Sequence, residues 1–155
     1  MSTFHPRPDK QHFSPPFTLP NCDLGGVVFI GGSPGALQAN LVDPTLNAAT
    51  TSGRFQLVIP DIGIAVFGYY PEVSPSSSST DYGWGKFAYR EAAVLLVVED
   101  TSTGKKYIFF PAMLLDVFLP LAAGREIYGI PKVLAQFNWT WASNTWSAEV
   151  DAEGF

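Results

Sequence analysis

The chain has 155 residues, of which 46% are hydrophobic and 15% are charged. That length suits one domain, and so little charge argues against a disordered or linker protein. The net charge is −5, and the basic residues are scattered apart from Lys105-Lys106, so no patch could displace counterions from a nucleic acid backbone.

Residues 1–24 carry five prolines and no periodic pattern, which predicts an extended arm ahead of one domain over 25–155. The arm has no apolar run of the kind a secretory signal needs. Both histidines, His5 and His12, lie in it, and no carboxylates are spaced to complete a metal site around them. Cys22 is the only cysteine, which excludes an internal disulfide and a paired-thiol metal site. Neither a metal nor a cofactor is expected.

Gly25-Gly26 open a short strand over 27–30 that Gly31-Gly32 close. Ser33-Pro34 then predict an N-cap with proline at the first helical position, and a helix over 35–42 that Asp43-Pro44 end. From Arg54 the signal turns to β, with strands over 55–59 and 64–70 rich in branched and aromatic residues. Residues 71–85, with serines at 76 to 79, predict a surface excursion. Strands over 92–98 and 107–115 flank a hairpin loop at 99–104. Both are apolar at nearly every position, so both faces are expected to be covered. Phe137, Trp139 and Trp141 share one face of a further strand, and Ser143-Asn144 predict a turn into 145–150.

The fold class is therefore mainly β: an antiparallel sheet lining a closed or half-closed interior, with short helices between strands. The apolar region 107–124 is interrupted by Pro111, Asp116 and Pro120, so no membrane span is expected. A soluble, cytoplasmic protein is expected.

Of five lysines, Lys132 alone is embedded in apolar sequence, with Ile130-Pro131 before it and Val133-Leu134-Ala135 after it. Burial penalises an ammonium and favours the neutral amine, which can attack a ketone and form a Schiff base. The protonated imine is an electron sink for the carbanion left when carbon dioxide departs. The same surroundings fit a lysine whose stem packs on the sheet while its ammonium reaches water, and local composition alone favours that plainer role.

Lys132 closes a longer pattern: Asp116, then Gly124-Arg125-Glu126, then Tyr128-Gly129-Ile130-Pro131-Lys132. This pattern resembles the signature of the acetoacetate decarboxylase family. Tyr89-Arg90-Glu91 and the stretch 36–46 extend the likeness over roughly residues 25–150. The resemblance implies a cone-like β-barrel, homo-oligomers, no cofactor, and a lyase that decarboxylates a β-keto acid through an imine on Lys132. It implies that Glu91 is a pocket acid that positions substrate or carries a proton to the enamine carbon; a buried Glu91 paired to Arg125 or Arg90 is the structural alternative. Arg125 and Glu126 are implied as an ion pair that fixes the turn presenting Lys132. Tyr128 is implied as a pocket wall, Gly129 as a point of close backbone approach, and Pro131 as part of the same scaffold.

Three departures from the family pattern bear on the reaction. Val133 replaces a second lysine, no arginine near 22–27 matches the one that meets a substrate carboxylate, and no acid stands near Val66-Phe67-Gly68. They favour relatives that use the same lysine for aldol, dehydration or cyclisation chemistry. A third possibility is a non-catalytic barrel that holds an apolar ligand against Tyr69, Tyr70, Phe109, Phe110 and Trp139. The family's domain continues beyond the hairpin that follows the lysine. The chain is therefore expected to be a fragment, a shortened relative, or one that a partner completes.

Overall fold

A computed structural model describes residues 17–50, 53–75, 86–118, 120, 125, 130–142 and 145–151. In chain order the elements are β1 (Phe17–Thr18), β2 (Asp23–Ile30), α1 (Gln38–Asn47), β3 (Phe55–Leu57) and β4 (Ile62–Pro75). Then follow β5 (Phe87–Asp100), β6 (Lys105–Leu115), β7 (Lys132–Leu134), β8 (Gln136–Ala142) and β9 (Thr145–Asp151). The class is mainly β, as expected.

Seven strands form one sheet in the order β1-β4-β5-β6-β7, with β2 also on β4 and β3 also on β5. β8 and β9 form a separate antiparallel ribbon. Among the described residues the sheet is an open path, so the closed barrel expected from the sequence is not seen. Among the described residues, no helix is long and apolar enough to cross a membrane.

The chain divides into two compact units, residues 1–23 with 69–89 and residues 24–68 with 90–155. In the first, β1 pairs with the end of β4 through Phe17↔Pro75 and Thr18↔Ser74. The Pro-rich arm thus gives way to paired strand before residue 24. Tyr89 stacks on Tyr70, with centroids 4.7 Å apart, and on Phe87, and Lys86 meets Glu72 at 2.7 Å. β4 runs on through Pro71 to Pro75, where the sequence predicts a loop.

In the second unit the core gathers Leu37 and Val42 from the helical segment with Leu96 and Val98 from β5. Phe29, Phe55, Leu57 and Phe109 pack around them. The helix differs from its sequence prediction at both ends. At its N-terminus Asp61 accepts where the sequence predicts the Ser33 side chain, and Ser33 contributes its carbonyl: Gly35 N donates to Asp61 Oδ2 at 2.6 Å, Leu37 N to Asp61 Oδ1 at 3.4 Å and Ala36 N to Ser33 O at 3.0 Å. It also continues past Asp43-Pro44 to Asn47.

Tertiary bonds on both sides of Pro44 explain that extension. Gln38 donates to Phe55 O and accepts from Leu57 N, both at 3.0 Å. Asn47 donates to Phe55 O at 3.0 Å and accepts from Phe55 N at 2.8 Å. The two amides thereby occupy main-chain groups of β3 that β5 does not, and shield that strand edge. Asp43 accepts from both amides at 2.7 Å, and these bonds hold its carboxyl below the usual carboxylate range.

The hairpin between β5 and β6 forms where predicted, with Gly104 at φ +68, a left-handed conformation that glycine adopts without strain. Asp100 anchors its loop. Arg54 grips the carboxylate with Nε at 3.1 Å and a terminal nitrogen at 2.7 Å, and Ser102 adds its amide and hydroxyl. Together, the arginine first, these hold Asp100 well below the ordinary carboxylate range. The expectation that both faces of β6 are covered fails at its start, where Tyr107 is 46% and Ile108 62% exposed.

Candidate functional site

The site is carried by three neighbouring strands of the second unit. β6 pairs with β5 antiparallel, placing Glu91 opposite Leu115 and Ala93 opposite Met113. On its other side β6 pairs with β7 in parallel, placing Lys132 opposite Met113 and Leu134 opposite Leu115. Directly opposed residues share a face and side chains alternate along each strand. Glu91, Ala93, Met113, Leu115 and Lys132 therefore share one face, and Met113 and Leu115 are buried there. Two strand spacings, roughly 9–10 Å, separate β5 from β7. The lysine stem spans them, and Lys132 Nζ meets Glu91 Oε2 at 2.9 Å. The side chains are only 9% and 16% exposed.

The approach to Lys132 has a local explanation. Lys132 N donates to Ile130 O at 2.7 Å, which closes a three-residue turn centred on Pro131. Proline's fixed φ suits that central position, so the chain enters β7 with the lysine already directed. A parallel β7 also requires a crossover after β6. Phe118, Pro120 and Arg125 are helical within it.

Asp116, at the end of β6, acquires a definite role. Its Oδ1 accepts from Arg90 N at 2.8 Å and its Oδ2 from the Arg90 guanidinium at 3.0 Å. Its own amide donates to Arg90 O at 3.4 Å, while Ala135 N donates to Leu115 O at 2.9 Å.

The sequence-predicted residues are thus partly brought together. Lys132 and Glu91 meet, and Arg90 pairs with Asp116. Pro131 is exposed at the turn, and Arg125 is exposed within the crossover. Glu126, Tyr128 and Gly129 lie outside the described residues, as do His5 and His12. Val133 pairs with Leu114 and points to the face opposite Lys132. Of the proposed aromatic wall, Phe109 packs on the core, Tyr70 stacks on Tyr89, and Trp139 meets Phe67 edge-on at 6.3 Å.

The sequence reading assigned no role to the Arg90–Asp116 pair. Its signal was the position of Arg90 beside Glu91, which alternation sends to the opposite face. A cavity of about 400 Å³ opens beside β7, lined by Asp116, Leu134, Ala135, Gln136 and Asp151. Neither Lys132 nor Glu91 is among those lining residues. Among the described residues, no group of three His, Cys, Asp or Glu side chains could hold a metal.

Residues 33–155 match the family model of acetoacetate decarboxylase (ADC). An acetoacetate decarboxylase from Legionella pneumophila is similar in structure at TM-score 0.65 and 22% identity, over 96% of this chain and 50% of that one. A second acetoacetate decarboxylase structure is similar at TM-score 0.61 and 17% identity, over 90% and 48%. The enduracididine biosynthesis enzyme MppR complexed with pyruvate is similar at TM-score 0.55 and 17% identity, over 86% and 46%. The chain spans about half the length of these solved structures. No curated protein matches it by sequence. The chain belongs to the acetoacetate decarboxylase family.

Proposed function

We propose that this chain carries the imine-forming amine of a Schiff-base lyase that decarboxylates a β-keto acid. The observation that supports this most directly is the buried Lys132–Glu91 contact at 2.9 Å. Glu91 takes a proton from the lysine ammonium, and the freed lone pair attacks the substrate's ketone carbon. As that C–N bond forms, the carbonyl oxygen takes one proton from the nitrogen and one from solvent, and loss of water leaves an iminium. The bond to the carboxylate then breaks, carbon dioxide leaves, and the electron pair enters the iminium to give an enamine. Glu91, now a carboxylic acid, protonates the enamine carbon, and hydrolysis returns the amine. The proposal includes a cytoplasmic homo-oligomer whose sheet closes into a cone-like barrel.

A second reading keeps the imine and changes its fate. Val133 in place of a second lysine, and the likeness to MppR complexed with pyruvate, favour an enamine that attacks an aldehyde carbon instead of taking a proton.

The test is borohydride trapping with acetoacetate and with pyruvate, read by intact mass and peptide mapping, beside folded Lys132→Ala. An adduct on Lys132 with carbon dioxide release supports the lyase. An adduct without release supports the aldol-type reading. No adduct on folded protein overturns both and leaves a ligand-binding role.

A further inference from the structure

We infer that Arg90 and Asp116 are positioning residues that set the Lys132–Glu91 geometry from the opposite face of the sheet. The kinetic part of this inference rests on the imine reading above, whereas the geometric part does not. Arg90 directly precedes Glu91 on β5, so alternation turns their side chains to opposite faces. Asp116 directly follows Leu115, the residue opposite Glu91. Its carboxylate holds both the Arg90 amide and guanidinium, and its amide reaches the Arg90 carbonyl. This clasp continues the β5–β6 ladder one step beyond Glu91, where the chain leaves β6 for the crossover.

Two features make the register at this point consequential. First, the ladder already shifts between Val94 and Leu96, so only the short stretch from Glu91 to Val94 holds register on the site side of that irregularity. Second, Leu115 serves both sides, opposite Glu91 on β5 and opposite Leu134 on β7, with its carbonyl taking the Ala135 amide. A slip of β5 by one residue would turn Glu91 away from the lysine's face altogether. Smaller slackening would lengthen the contact between two side chains that meet from strands not bonded to each other. The clasp opposes both motions without touching the amine.

The test measures the coupling between Glu91 and Lys132 by a double-mutant cycle of Glu91→Leu and Lys132→Met in urea unfolding. The cycle is repeated with Asp116→Asn, which keeps an acceptor for the Arg90 amide but removes the charge. It is repeated again with Arg90→Gln, which approaches the clasp from its other partner. The expected result is a coupling reduced by roughly half or more in both backgrounds, a response that distant, independent sites would not show. Trapping of acetoacetate on Lys132, normalised to folded protein, should slow about ten- to a hundred-fold, with its pH midpoint displaced. Arg90→Lys, which retains the cation, should restore part of it.

Coupling unchanged in both backgrounds, whatever the loss of stability, would overturn the inference. Coupling reduced while the parent protein forms no adduct would sink the imine reading and leave the positioning role standing. Normal trapping in both variants would reduce the clasp to scaffold and leave the imine reading intact.

Discussion

Removing one partner of the Lys132–Glu91 pair should cost far more than removing both. At 2.9 Å, and with an effective dielectric of about 20, the gross attraction between the two charges is about 6 kcal/mol. Desolvation of both groups offsets much of it, since their side chains are 9% and 16% exposed. Glu91→Leu leaves an ammonium buried beside Met113 and Leu115, and Lys132→Met leaves a carboxylate in the same place. Each single variant should lose about 3–5 kcal/mol, the range for breaking a buried pair. The double variant puts apolar side chains of similar volume on an already apolar face and should fall within about 1 kcal/mol of the parent. Urea unfolding measures all four proteins, with unchanged slopes confirming that they unfold alike. Single losses under about 1 kcal/mol would show a solvated pair and refute the burial argument. Losses that simply add in the double variant would refute the pairing itself.

Three further outcomes follow from features outside that pair. Asn47→Ala removes both bonds between this buried amide and Phe55, and should cost about 1–3 kcal/mol, with faster amide exchange at Phe55. Unchanged exchange would show that the helix does not protect β3. Asp100 has a depressed carboxyl, so its contribution is present above the unfolded value, about pH 4, and is lost as pH falls below it. The parent should therefore destabilise more steeply than Asp100→Asn on acidification from that pH; equal slopes would contradict the anchor. At Gly63 an added Cβ runs into the Phe29 ring, so Gly63→Ala should lose about 1–3 kcal/mol in thermal or urea unfolding. A neutral Gly63→Ala would mean that the ring moves aside freely.

The strands on either side of the Gly104 hairpin were legible because β-branched runs and a turn glycine act locally. The same holds for Phe137 and Trp139 on β8, whose alternation predicts their common face. The start of the helix was not legible. Its cap is Asp61, 26 residues from Gly35, and the local Ser33-Pro34 signal competes with it. Nor did Asp43-Pro44 end the helix, because Gln38 and Asn47 bind β3 on either side of the proline and override its local preference. Apolar residues at Tyr107 and Ile108 read as covered strand, but hydrophobicity does not specify what covers them. At the candidate site, the lysine was singled out by the motif and the acid by the weaker likeness upstream of it. Their mutual contact was not legible, because it depends on two registers along β6 that no local pattern encodes.

That dependence has a consequence for the chain before it folds. The acid and the amine are 41 residues apart in sequence, and they meet only after three strands and a parallel crossover have assembled. Contacts of such separation form late, after loop-closure entropy has been overcome. While the polypeptide is being synthesised, Lys132 is one exposed lysine among several, no better placed than the others to react with passing carbonyl metabolites. The pairing that distinguishes it arises together with the sheet. A carbonyl probe that labelled Lys132 above the other lysines would therefore measure native fold and candidate site at once.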